Sequence, residues 1–144
     1  MFARAHHRDS RSQSRRGAAT VELALCIPFL VTLTFGMLEY NSLVMLRTRM
    51  LSVSYESARL ATRPTTSETT AATASQVTSQ CTALLTQLGV KGATVTLTPS
   101  NLTAITPQTV VKVSIVAPFN QNSLTTIVIS SSTTVTTSAT MSVE

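Results

Sequence analysis

Residues 15–40, which read RRGAATVELALCIPFLVTLTFGMLEY, decide the fold. Between Glu22 and Glu39 lie sixteen consecutive residues without a charge. At about 1.5 Å per residue this run spans roughly 24 Å of helix, and its flanking residues extend it to the ~30 Å of a bilayer core. The alternative is a buried core helix, but the Ser/Thr-rich remainder supplies too little apolar surface to cover it on every side. The sequence therefore predicts a single membrane-spanning helix.

Basic residues concentrate before this run. Five of the eleven Lys and Arg residues and one of the six acidic residues lie in residues 1–17, which carry +4, whereas residues 18–144 carry +1. Basic residues that flank a span are retained on the cytoplasmic side, and Arg47, Arg49 and Arg59 beyond the other end reduce this bias without reversing it. We expect a single-pass membrane protein with a cytoplasmic N-terminus and an extracytoplasmic C-terminal domain. Residues 1–17, basic and poor in apolar side chains, are predicted to be a disordered leader.

The composition excludes several functional classes. Only 4% of the residues are aromatic and the basic excess lies in the leader, so a nucleic-acid-binding domain is not expected. Cys26 and Cys81 are too few for a disulfide framework or a metal site, and His6 and His7 stand alone beside each other. Residues 18–144 contain neither His nor Asp, so no catalytic triad can form there. We expect no enzyme activity, no metal and no cofactor.

The helical pattern continues beyond Glu39 as an amphipathic helix. Polar residues gather on the opposite side of it, and Arg63 before Pro64 is a natural stop, since the residue before proline is pushed out of the helical region. The predicted helix covers residues 18–63, and its second half should lie across a sheet. The apolar face consists of Leu43, Leu46, Met50, Val53, Ser57, Leu60 and Ala61.

Residues 64–144 are predicted to form a Ser/Thr-rich extracytoplasmic domain, with 32 Ser or Thr among 81 positions. A short helix with Thr66 or Ser67 as its N-cap should end at Gly89. Three or four antiparallel strands should follow, because apolar residues alternate with polar ones, and the segment from Ile127 is either a further strand or the lead-in to the last. This alternation argues against a solvated mucin-like stalk. The alternating residues are Val95 and Leu97, then Val111, Val113, Ile115 and Ala117, then Val135, Thr137, Ala139, Met141 and Val143.

The junction at the head of the span carries the candidate processing site, Arg15, Arg16, Gly17 and Ala18. Gly17 lets an extended backbone enter a protease cleft, and the arginines hold it at the membrane face. Glu22, a costly carboxylate near the hydrocarbon, marks function or pairing. Cleavage after Gly17 would leave an ammonium on Ala18, one helical turn from Glu22.

Residues 15–40, quoted above, and RTRMLSVSYESARLATR at residues 47–63 resemble the N-terminal region of TadE-like pseudopilins of the tight-adherence (Tad/Flp) type IV pilus system. The resemblance covers about a third of the chain. It departs at Leu23, where many relatives carry Phe or Tyr, and at Cys26. It implies a type IV pilin-like α+β fold and a minor structural or assembly subunit involved in adherence and pilus biogenesis.

The resemblance also implies partners. A prepilin peptidase would remove residues 1–17, and Glu22 of one subunit would meet the Ala18 ammonium of its neighbour. Other pilin and pseudopilin subunits, the inner-membrane pilus assembly platform and the lipid bilayer complete the expected partners, without nucleic acid. Glu39 and Tyr40 are predicted to mark the membrane exit and a subunit contact. The alternative function is an uncleaved, single-span surface adhesin or binding protein.

Overall fold

The computed structural model describes residues 10–63, 73–102 and 108–143, with side chains from residue 17 onward. In chain order the elements are α1 (Ser10–Ala61), α2 (Ala74–Gln87), β1 (Thr94–Thr98), β2 (Val110–Pro118), a short 3₁₀ turn (Phe119–Gln121) and β3 (Thr134–Ser142). The predicted α+β architecture is confirmed: a long N-terminal helix, a short second helix and a small antiparallel sheet.

Helix α1 is 52 residues long, which corresponds to about 78 Å at the ordinary helical rise. It begins at Ser10, not at Ala18, so the predicted disorder of the leader is wrong for residues 10–17. Residues 1–9 lie outside the described residues. Adding a residue to an existing helix costs little, because each one gains a backbone hydrogen bond, and Ser, Gln and Arg are tolerated there. The apolar helix therefore propagates into the basic segment.

The second half of α1 forms one wall of the core. Leu46, Met50, Val53 and Ala58 are buried in the same apolar cluster as Ile115 of the sheet. The predicted inward face is confirmed, and its polar member Ser57 is buried as well. The helix therefore supplies the apolar surface that the small C-terminal domain lacks.

The sheet has the order β1-β2-β3, with both pairs antiparallel. In the middle of the sheet Leu97, Val113 and Ala139 lie side by side across the three strands. The inward residues of the central strand, Val111, Val113, Ile115 and Ala117, are fully buried, as their alternation predicts. The outer face is rich in threonine. The segment from Ile127 forms a loop before β3 and not a strand of its own.

Helix α2 begins later than the sequence pattern indicated. Its N-cap is Thr73, whose hydroxyl accepts the Gln76 backbone N–H at 3.4 Å, while the Gln76 side chain accepts the Thr73 N–H at 3.0 Å. The predicted caps Thr66 and Ser67 lie outside the described residues and do not start this helix. This reciprocal capping box satisfies two helix-end donors at once, which a lone Ser or Thr cannot do. The predicted stop at Gly89 is confirmed, with φ +74°.

Candidate functional site

The first half of α1 packs against no other part of the described chain. Residues 17–34 are all exposed, and the apolar part of the helix is long enough to cross a membrane with none of it buried. Soluble monomers rarely expose a continuous apolar surface of this size. The exposed large apolar residues are Val21, Leu23, Leu25, Ile27, Phe29, Leu30, Val31, Leu33, Met37 and Leu38.

Hydroxyl groups within this apolar surface are satisfied by the helix itself. Thr32 donates to the carbonyl of Pro28 at 2.8 Å, and Thr34 donates to that of Leu30 at 2.8 Å. Ser42 makes the same bond one turn back, at 3.0 Å. Such back-bonding satisfies these three hydroxyls without water, as an apolar environment requires.

The candidate processing residues all lie on α1. Gly17, Ala18 and Glu22 are exposed, and a Cβ added to Gly17 would meet nothing within 4 Å. Arg15 and Arg16 belong to the same helix, although their side chains fall outside the described part. The junction is therefore helical and not extended. A glycine weakens a helix by roughly 0.5–1 kcal/mol relative to alanine, which makes Gly17 a favourable place to unwind it.

Glu39 occupies the point where the apolar surface meets the C-terminal domain. Its side chain is 0% exposed. Its carboxylate accepts the backbone N–H of Ile127, that of Val128 through both oxygens at 3.1 and 3.0 Å, and that of Ile129 at 2.6 Å. One carboxylate thus binds three successive backbone donors, in a geometry that holds the loop before β3 against the helix.

Tyr40, beside Glu39, is exposed. The structure thus separates the two residues that the sequence grouped at the membrane exit: Tyr40 faces outward, and Glu39 faces its own chain. The predicted membrane exit and subunit contact stay predictions for both residues. The contact between Glu39 and the loop was missed because backbone donors have no sequence signature. A signal existed nonetheless, since Glu39 lies four residues before Leu43 and continues the inward stripe of the helix.

A second set of polar contacts lies beside the loop that Glu39 binds. The Asn122 side chain accepts the Lys91 N–H at 2.7 Å and donates to the carbonyls of Lys91 at 2.9 Å and Pro118 at 2.8 Å. It joins the segment before β1 to the end of β2. The sequence analysis did not identify Asn122 either.

Two further observations concern ligands. A groove between α1 and α2, of about 310 Å³, is lined by Glu56, Ser57, Leu60, Gln80, Ala83 and Leu84. Among the described residues, His, Cys, Asp and Glu nowhere gather in a group of three that could hold a metal ion. The polar contacts of Glu39 and Asn122 join parts of the chain to each other.

Comparison with known proteins finds a family that the apolar helix resembles. The family model described as TadE-like protein matches residues 17–59, which is under a third of the chain. No curated protein and no solved structure matches the chain. The matched segment contains both the exposed apolar surface and most of the amphipathic half of α1. This family indicates a protein associated with the Tad pilus. Over residues 17–59 the long helix is similar to that of TadE-like proteins, as the resemblance of its sequence predicted.

Proposed function

We propose that this protein is a TadE-like pseudopilin, a minor structural or assembly subunit of a Tad/Flp pilus. The observation that carries the proposal is the division of α1 into two halves. One half is apolar and exposed, and the other forms one wall of the core of the C-terminal domain. A subunit that is held in a bilayer before assembly and then packs through the same helix against other subunits requires this division.

The proposed topology follows from the positions of the charges. The basic segment up to Gly17 stays on the cytoplasmic side of the inner membrane, and the Thr-rich domain lies outside it. Between them α1 crosses the bilayer once. Nearly all of the basic excess of the chain then belongs to the cytoplasmic segment.

The proposed maturation is cleavage after Gly17 by a prepilin peptidase. The exposed helix at Gly17 lacks tertiary contacts, so its first turns can unwind without disturbing the core. Cleavage removes the basic leader and creates an ammonium at Ala18. Glu22, exposed one turn further on, is then placed to bind the ammonium of a neighbouring subunit.

The experiment that tests this proposal is co-expression of the full chain with its cognate prepilin peptidase, followed by intact-mass measurement and N-terminal sequencing. We expect a mature chain that begins at Ala18. Co-expression with a catalytically inactive peptidase is the control and should leave residues 1–17 in place. A Gly17→Leu variant should also stay uncleaved, since its side chain hinders entry into the protease cleft.

If the native chain keeps its leader beside the active peptidase, the pseudopilin proposal is wrong. That result would favour a permanently anchored surface adhesin or binding protein. The two functions therefore differ in the fate of a single peptide bond.

A further inference from the structure

The loop at residues 123–130 combines an apolar surface with an unusual position. Its sequence, SLTTIVIS, contains no charged residue. Leu124 is 87% exposed, Ile127 67% and Val128 55%, whereas Ile129 packs against the core. We call residues 123–130 the foot loop. Each of these three outward apolar side chains is more than half exposed in the described chain.

The foot loop lies beside the end of the apolar run of α1. A Cβ added to Gly36 would be 3.9 Å from Cγ2 of Val128, so this side chain lies over Gly36. Gly36 belongs to the uncharged run and precedes Glu39 by about 4.5 Å of helical rise. At Val128 the foot loop therefore reaches past Glu39, toward the apolar run of the helix.

Irregular backbone is normally excluded from contact with lipid, because its unpaired N–H groups lose their hydrogen bonds to water. The Glu39 carboxylate removes this obstacle at Ile127, Val128 and Ile129, whose three N–H groups it accepts. At the start of the loop, Ser123 accepts the Thr125 N–H at 3.3 Å and donates to the Thr125 carbonyl at 2.5 Å. The backbone N–H groups of Thr125, Ile127, Val128 and Ile129 are thus already occupied.

We propose that the foot loop is a second membrane contact, in which Leu124, Ile127 and Val128 enter the bilayer interface beside the span. The inference rests on the proposed membrane anchoring of α1. The bilayer is the occupant that the geometry favours, because the foot loop continues the apolar surface of the span on the same side of Glu39. Met37 and Tyr40, exposed at neighbouring positions of the helix, extend the same surface. Two contacts with the bilayer would fix the depth and the rotation of the domain, which a helix alone leaves free.

The test uses the full chain in vesicles of phosphatidylcholine and phosphatidylglycerol. Cys26→Ser and Cys81→Ala remove the native thiols, and a single cysteine is introduced by Leu124→Cys or Ile127→Cys for an environment-sensitive NBD label. Thr136→Cys, exposed on the outer face of β3, is the matched control for a water-facing position. Leu30→Cys reports on the span. Brominated lipids and aqueous iodide serve as quenchers from the two phases.

We expect bromolipid quenching at Leu124 and Ile127 to exceed that at Thr136 at least twofold, with weaker iodide quenching than at Thr136. Iodide quenching equal to that at Thr136, with Leu30 still quenched by bromolipid, would overturn the inference and leave the anchoring intact. A blue shift of the NBD emission that grows with the protein-to-lipid ratio, without quenching by bromolipid, would show that the foot loop contacts a neighbouring copy of the chain. This result would also overturn the inference. Absence of bromolipid quenching at Leu30 would refute the anchoring itself, and the second contact with it.

Discussion

Both oxygens of the Glu39 carboxylate accept the backbone N–H of Val128, a residue 89 positions later in the chain, at 3.1 and 3.0 Å. This contact joins the end of the apolar run to the loop that leads into the last strand. The carboxylate thus holds this loop at a defined position along α1.

Replacement of Glu39 by glutamine should release this loop. A glutamine side chain offers one acceptor oxygen, and its NH₂ group faces the remaining donors, so they lose their partners. We expect the backbone amides of Ile127, Val128 and Ile129 to exchange at least about tenfold faster in hydrogen-exchange mass spectrometry. Glu56→Gln, on an exposed position of the same helix, is the control and should leave these amides unchanged. Equal exchange in both variants would mean that the carboxylate does not hold the loop.

Met50→Ala should destabilise the C-terminal domain strongly. Met50 is fully buried where α1 meets the sheet, and truncating a buried methionine to alanine costs about 2–5 kcal/mol. Urea unfolding in detergent micelles, followed by circular dichroism, measures the loss. Leu51→Ala, the next residue on the exposed side, should change the free energy of unfolding far less. Comparable losses in the two variants would contradict the orientation of the helix.

Gly92→Ala should destabilise more than Gly89→Ala. Both glycines have a positive φ, +65° and +74°, and a non-glycine residue there costs about 1–2 kcal/mol. Only at Gly92 would the new Cβ also overlap Oε1 of Gln121 and approach Pro118 to 3.1 Å. The difference between the two unfolding free energies isolates the steric part. A Gln121→Ala change added to Gly92→Ala should recover some of it, and no recovery would place the clash elsewhere.

Glu22→Ala should leave membrane insertion intact but reduce incorporation into the pilus or its assembly complex. Glu22 is exposed among apolar side chains, a placement that is costly unless the carboxylate has a partner. Cell fractionation measures insertion, and co-purification with the other pilus subunits measures incorporation. Glu56→Ala, which removes a carboxylate beyond the span, is the control. Normal piliation of the Glu22 variant would remove this residue from the assembly mechanism.

Cys81 should resist alkylation in the folded protein. Burial raises the pKa of the Cys81 thiol above its ordinary value of 9.0, and the reactive thiolate is correspondingly rare. Because the folded-state pKa is the higher one, the stability that this group contributes is complete below pH 9.0 and is lost as the pH rises through the folded-state pKa. Iodoacetamide labelling of a Cys26→Ser variant, with and without urea, measures the protection. Equal labelling rates in both conditions would show that the thiol is accessible.

The regular elements could be predicted because their periodicity records burial. The alternation in β2 and the three- and four-residue spacing from Leu43 to Ala61 each identify the inward face, and both are confirmed. The start of α1 could not be predicted in this way. Residues 10–17 have no apolar face, and their helicity follows from propagation of the helix behind them.

The polar contacts beside the foot loop could not be predicted because their partners are main-chain groups. Glu39 and Asn122 each bind backbone atoms of a segment more than thirty residues away. Any residue can provide those atoms, so the sequence of the partner segment contains no complementary signal. Only the fold brings the two sides together.

Glu39, Leu46, Met50 and Val53 all belong to one unbroken helix, and this continuity limits how the chain can vary in length. A helix turns by about 100° per residue. Inserting or deleting one residue between Glu39 and Leu46 would therefore rotate the Glu39 carboxylate by about 100° relative to the buried apolar side chains. Either the carboxylate or the apolar stripe would then lose its partners. The fold tolerates substitutions on the outer side of this segment. It does not tolerate a change in the number of residues between Glu39 and Leu46.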